Sequence, residues 1–219
     1  MKNWWYYHKW YVACGGVLLG IVINLTGNAL GLWHKAPDFQ VAYVGRERLP
    51  EDTLLALEQA FASIEGNWDF NGDGEVIVRI NQYINGSQSK DPETAYYEYA
   101  SELTLIGDIS GCESYFFLMD DPESFQRSFH LLADADGGCP AETDHSTEEK
   151  TICWADCPLL SQLNLGTYST IILGKEVKGD SQELLSELYM GRRCFYHEKE
   201  PKHSEQCGRL WNTLKDSIE

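Results

Sequence analysis

Residues 75–84 read EVIVRINQYI, and this run decides the fold class. Val76, Val78 and Ile80 alternate with Ile77, Arg79 and Asn81, a period of two that makes the run a strand. Residues 38–45 (DFQVAYVG) have the length and composition of a second short buried strand. Between the two, Pro50 opens a helix whose first turn holds Glu51 and Asp52, where the helix dipole favours anions. Leu54, Leu57, Phe61 and Ile64 then recur at helical spacing. Downstream, Asp91-Pro92-Glu93 caps another helix, with Tyr96, Tyr99, Ala100, Leu103 and Ile106 on its apolar face and Gly107 as its stop. Residues 114–119 (SYFFLM) form a third strand. The same Asp-Pro-Glu cap recurs at Asp121-Pro122-Glu123, before Phe125, Phe129 and Leu132. The order β-α-β-α-β-α predicts an α/β fold, a three-layer, mostly parallel sheet covered by helices.

Past Leu132 the pattern breaks. Residues 133–165 hold three cysteines, two prolines and seven acids against one lysine, and read as an irregular, disulfide-pinned acidic loop. Order returns with a strand at 168–173 (YSTIIL). A helix capped by Asp180-Ser181 follows, carrying Leu184, Leu185, Leu188 and Tyr189. A last helix places Cys207, Leu210, Trp211 and Leu214 on one face.

The chain is strongly acidic, with 17 Lys+Arg against 34 Asp+Glu and a formal charge of −17. With no basic stripe to neutralise phosphates, a general nucleic-acid binder is excluded. The charge is unevenly spread: residues 1–35 hold Lys2, Lys9 and Lys35 and no acid, leaving the other 184 residues at −20. From Trp10 to Trp33 no residue is charged, a run long enough to cross a bilayer core of about 20 helical residues. Trp4, Trp5, Tyr6, Tyr7, Trp10 and Tyr11 at one end and Trp33 at the other match an interfacial aromatic belt. The expected organisation is a short cytoplasmic N-terminus (1–9), a transmembrane signal anchor (10–33) and an exported domain (36–219). Lys2, Lys9 and the α-amino group before the span favour an inside N-terminus. Cleavage near residues 26–29 or 28–31 stays open as an alternative.

Cysteine usage fits export. Cys112, Cys139, Cys153, Cys157, Cys194 and Cys207 give an even six in the exported part, with Cys14 alone in the span. Fifteen pairings are open in principle, and Cys194–Cys207 is expected first because the two lie close in sequence. The same two residues with His197 and His203 form C-x2-H-x5-H-x3-C, a set of four zinc-type ligands, but an oxidising compartment favours the disulfide.

Among motifs that carry chemistry, Asp69-Phe70-Asn71-Gly72-Asp73-Gly74-Glu75 stands out. Alternating oxygen ligands and a glycine at the sixth position suit a calcium loop, with Asp69, Asn71 and Asp73 giving side chains and Glu75 its carbonyl. The twelfth position is Ile80, where an EF-hand needs a bidentate Glu, so an EF-hand is excluded. Calcium through a truncated loop and a plain Asn-Gly/Asp-Gly turn are the two readings left. No cofactor is assigned beyond calcium as the ion this loop would take. No G-x-S-x-G, H-E-x-x-H or phosphate-cradling loop occurs, and no catalytic residue is assigned. In a doubly wound sheet, ligands lie off the carboxyl ends of the strands. That edge would carry Arg46 and Arg48 after the first strand, Gln82 and Tyr83 after the second, and Asp120 after the third.

The strand QVAYVG, the helix LLALEQAF, the strand VIVRINQY and the strand SYFFLMD before its helix resemble the first lobe of bacterial extracellular solute-binding proteins over residues 38–135. The whole chain is similar to small membrane-anchored proteins of Gram-positive anaerobes, a likeness that carries no activity with it. The lobe resemblance implies solute capture at the cell surface, with a small molecule or a protein as partner. The expected function is a non-catalytic, membrane-anchored extracytoplasmic ligand-binding or interaction module. A cell-envelope enzyme using carboxylates, or an accessory subunit whose Gly15, Gly16 and Gly20 let its span approach another helix, are the alternatives.

Overall fold

The structure, a computed structural model, describes residues 2–29, 35–66, 68–85, 92–172, 174–196, 200 and 203–218. It divides into two compact units, Met1–Ala36 and Pro37–Glu219. The first is one helix, α1 (Lys2–Ala29). Within it Tyr7–Gly27, 21 residues, is long and apolar enough to cross a membrane, and almost none of it is buried. At 1.5 Å per residue this stretch is about 30 Å long, the thickness of a hydrocarbon core. Residues 30–34, the end of the expected span, lie outside the described residues.

The second unit runs β1 (Phe39–Gly45), α2 (Glu51–Ser63), β2 (Val78–Ile84), α3 (Pro92–Gly111), β3 (Phe116–Met119), α4 (Pro122–Phe129), β4 (Thr151–Cys153), α5 (Pro158–Ser161), β5 (Thr167–Ile172), β6 (Lys175–Asp180), α6 (Ser181–Leu185), β7 (Tyr189–Arg192) and α7 (Ser204–Asp216). Five strands form the main sheet in the order β2-β1-β3-β7-β4. β1 pairs in parallel with β2 (Val41 beside Ile80) and with β3 (Val41 beside Phe116). β7 is antiparallel to both β3 and β4, so four strands share one direction and β7 alone is reversed. The sheet is therefore mostly parallel. β5 and β6 make a separate two-stranded hairpin.

Alternation along each strand sends side chains into two cores. Val41 and Phe39 of β1, Phe116 and Leu118 of β3 and Met190 of β7 pack with Leu57 and Phe61 of α2 and with Leu210, Trp211 and Leu214 of α7. Ala42, Val44, Phe117 and Met119 face the other way, with Leu105 of α3 and Phe125 of α4. The chain thus moves from one core to the other after β2, as right-handed crossovers require when β2 and β3 flank β1 on opposite sides.

The early elements form close to where the sequence places them, with β2 starting at Val78 instead of 75 and β3 at Phe116 instead of 114. Pro50 precedes α2, and the Asp121 carboxylate accepts from Ser124 N at 3.0 Å to cap α4. Asp91 lies outside the described residues. Three expectations need correction. First, α3 continues through Gly107, its expected stop, to Gly111; the face that carries Tyr96, Tyr99, Leu103 and Ile106 points outward, and all four are exposed. Leu105 and Asp108, on the opposite side of the helix, are the buried ones. Second, the helix after Asp180 stops at Leu185, and Tyr189 begins β7, a strand inside the main sheet.

Third, the 133–165 excursion is not pinned by disulfides. No two of the seven cysteines stand at disulfide distance. The excursion folds by apolar burial instead: Ile152, Trp154, Cys157, Leu160 and Leu165 enter the larger core, and Trp154 donates to Gln182 Oε1 at 2.8 Å. Cys157 acts there as a small apolar side chain whose thiol points at Leu214 O, 3.6 Å away. The expected Cys194–Cys207 pair fails because Cys207 belongs to α7 and the larger core, while Cys194 Sγ turns to His130 O at the end of α4. Cys194 is instead neighbour to Cys139.

Candidate functional site

β1 and β2 end in register, Gly45 beside Ile84, and the chain leaving them builds a cleft. Tyr43 donates its hydroxyl to Glu47 O at 2.9 Å and Leu49 N donates to Gln82 Oε1 at 2.9 Å, folding residues 46–49 across the strand ends. α3 is tied to the same edge because Ile84 N donates to Ser101 Oγ at 2.7 Å. Arg46, Glu47, Arg48, Ile84, Thr94, Tyr97 and Glu98 line the resulting open cleft of about 570 Å³.

Of the residues expected at this edge, the structure brings two into the cleft, Arg46 and Arg48. Arg46 is also engaged sideways. Its backbone N–H donates to Asp120 Oδ2 at 2.9 Å, and its guanidinium lies 3.8 Å from Asp120 and 3.5 Å from Asp121. Asp120 therefore closes the crevice between β1 and β3, the position where a doubly wound sheet would admit a ligand. Gln82 is used in folding the 46–49 turn. Tyr83 is buried in the smaller core, where it donates to Asp108 Oδ2 at 2.7 Å. Burial, and then that carboxylate, push the Tyr83 phenol well above its usual range. Burial does the same to Tyr43, with Asp120 adding to it.

The cleft offers guanidinium groups, carboxylates and one tyrosine ring. That set can hold a polar or charged group. Above it runs the exposed face of α3, with Tyr96, Tyr99, Leu103 and Ile106 between 69% and 44% exposed. These four lie, with Ala100, on the one apolar face that the sequence marks on this helix. The signal that corrects this reading is in the same helix: Leu105, Asp108 and Ile109 form a second inward stripe, so α3 is apolar on two sides.

The 69–75 loop is organised by backbone donors. Asp69 accepts from Gly72 N, Asp73 N and Gly74 N, Asn71 from Asp73 N at 2.9 Å, and Asp73 from Glu75 N at 3.0 Å. Gly72 and Gly74 supply the positive φ angles, +74° and +88°, that the turn requires. A residue not singled out in the sequence, the buried Asp38, anchors the loop by accepting from Phe70 N, Asn71 N and Ile77 N. Among the described residues no three His, Cys, Asp or Glu side chains gather as metal ligands would. Of the zinc-type set, His197 lies outside the described residues, Cys194 and Cys207 belong to different packing regions, and the His203 ring stacks near Phe70.

Burial raises the Cys194 and Cys207 thiols to about 12, so neither is a thiolate at neutral pH. Compared with protein-family models, curated proteins and solved structures, the chain finds no match, and the resemblances rest on the strand and helix motifs alone.

Proposed function

We propose that the chain is a non-catalytic interaction module held at the membrane by α1, with its acidic α/β domain outside the cytoplasm. The carrying observation is the outward stripe of α3, four large apolar side chains one above another on a helix that needs none of them for its own core contact. Contiguous exposed apolar surface of this kind marks a protein-interaction face. The occupant we assign is an amphipathic, basic helical segment of a partner protein. α3 carries Glu93, Glu98, Glu102 and Asp108 and no Lys or Arg, and the domain around it is strongly acidic, so a second copy would be repelled and a cationic helix attracted. The cleft beside Tyr97 adds Arg48 and Glu98 as polar rim groups. The three-layer reading of the domain is supported by its two cores on opposite sheet faces, and the outward orientation by Lys2 and Lys9 ahead of the span.

The test uses the full chain in detergent micelles and a fluorescent synthetic helix of leucine and lysine at i, i+3, i+4 spacing, followed by anisotropy. Saturable binding that weakens at least tenfold in the Leu103→Ser/Ile106→Ser variant supports the assignment. Equal binding of a peptide of the same composition with the spacing scrambled, or no loss in the variant, removes it. Both substitutions are at exposed positions and change stability by about 0.5 kcal/mol or less, so loss of binding is not loss of fold.

A further inference from the structure

At the other end of the sheet, where β7 finishes, lies a second cavity of about 460 Å³ under the first turns of α7. Its inner wall is Arg192, only 7% exposed. The guanidinium carbon sits 5.7 Å from the centre of the Trp211 ring, and Nη2 donates to Asp134 O at 3.0 Å and Ala135 O at 2.8 Å. Gly137, with φ at +93°, packs flat against it; a Cβ there would come within 3.2 Å of Nη2 and 3.3 Å of Nη1. Tyr115 closes the wall, its hydroxyl facing Gly208 of α7.

This arginine donates to two backbone carbonyls and to the Tyr115 hydroxyl, but it has no counter-charge among the described residues. Among the described residues no carboxylate lies within ion-pair distance of Arg192, and its Nε–H is buried without an acceptor. The comparison within the same chain is Lys150, 3% exposed, which holds two carboxylates, Asp144 at 2.6 Å and Asp134 at 3.4 Å. Of the three buried cations among the described residues, Lys150, Arg192 and Arg193, Lys150 is thus neutralised by carboxylates while Arg192 faces a cavity. A buried guanidinium without a counter-charge is strongly unfavourable, and its planar fork matches an oxyanion. The buried Arg193 and, exposed on α7, Arg209 line the same cavity and add two further positive charges. Glu200 and Glu205 lie at its rim.

We infer that this cavity is a binding site for a small oxyanion, the carboxylate or phosphate group of a small molecule, received by the guanidinium of Arg192 with Arg193 and Arg209 as the further cations of the lining. It is separate from the α3 face and does not depend on it. A bound anion supplies the missing counter-charge and, through Arg192, fixes the Asp134–Gly137 turn.

Isothermal titration of the full chain in detergent tests the site, with inorganic phosphate in one arm and succinate in the other, each matched by sodium chloride of equal ionic strength. Saturable heat in either arm, weakened tenfold or more in Arg192→Met and severalfold in Arg209→Gln, supports the site, and the arm that responds names the anion class. Arg209 is exposed, so its variant folds, whatever Arg192→Met does. Thermal melting with and without added anion gives an independent reading. If the arginine receives a ligand, phosphate or succinate raises the melting temperature of the native chain and not that of Arg192→Met; if it serves only to tie down the turn, neither anion shifts the native melting temperature and Arg209→Gln changes nothing. No saturable heat at tens of millimolar of both anions, or the same response to chloride, overturns the inference.

Discussion

Lys150 Nζ lies 2.6 Å from Asp144 Oδ2, a buried ammonium facing a half-exposed carboxylate six residues before it. The bond to Lys150 is the main reason the Asp144 carboxyl is held well below the usual carboxylate range, with Ser146 N adding a second donor. A depressed carboxyl pKa contributes stability above its unfolded value, near 4, and loses it as pH falls through the folded value. The 133–165 excursion is therefore expected to stay closed at pH 5 and to loosen only well below pH 4. Because Asp134 also reaches Lys150, at 3.4 Å, Asp134→Asn/Asp144→Asn should lower the melting temperature by more than the two single changes added together. Simple additivity in calorimetry would show that the two carboxylates act apart.

Asp108 joins three elements. It accepts from Tyr83 Oη of β2 at 2.7 Å and, on the way into β3, from Ser114 Oγ at 2.7 Å and Ser114 N at 3.0 Å. Tyr83→Phe removes one of these and should cost about 1–2 kcal/mol in denaturant unfolding; Asp108→Ala strands all three donors and should cost roughly 3 kcal/mol or more. The raised phenol pKa of Tyr83 means the fold favours its neutral form. Its stabilisation is complete below the unfolded value, near 10, and fades as pH rises beyond it, so alkaline unfolding of the native chain should begin above pH 10 and be less steep in Tyr83→Phe.

Thiol chemistry should divide by burial. Cys194 and Cys207, raised to about 12, should resist iodoacetamide at pH 8, while the half-exposed Cys139 and Cys153 react. When diamide is added as oxidant, the first disulfide should join Cys139 to its neighbour Cys194. Peptide mapping under non-reducing conditions reads both results, and a Cys194–Cys207 bridge would contradict the placement of Cys194 Sγ against His130 O and of Cys207 in the larger core.

The 69–75 loop should stand without a metal. Asp38→Ala removes the acceptor of three backbone donors and should cost roughly 2–4 kcal/mol, more than Asp73→Ala, whose carboxylate accepts one of these loop bonds. A chelator should leave the melting temperature of the native chain unchanged. A drop on adding it, restored by calcium, would show that a cation completes the loop.

Much of this protein was legible in its residues because the signals are local. Period-two alternation in residues 75–84, proline and aspartate at helix starts, and a charge-free run of helical length depend only on neighbours along the chain. They established β1, α2, β2, β3, α4, the inward face of α7 and the candidate span. What tertiary packing decided is everything that depends on partners distant in sequence. Residues 189–192 are a strand because β3 and β4 stand on either side to pair with them. The α3 tyrosines are outside because Leu105 and Asp108 find better partners in β2 and β3, and a helix with two apolar sides can bury only one. Cys194 and Cys207 are thirteen residues apart yet belong to different packing regions, and only the folded chain shows that Arg192 is buried without a carboxylate. Sequence proximity measures chain length, whereas bonding and burial depend on distance in space, and folding makes the two disagree most where the function is to be sought.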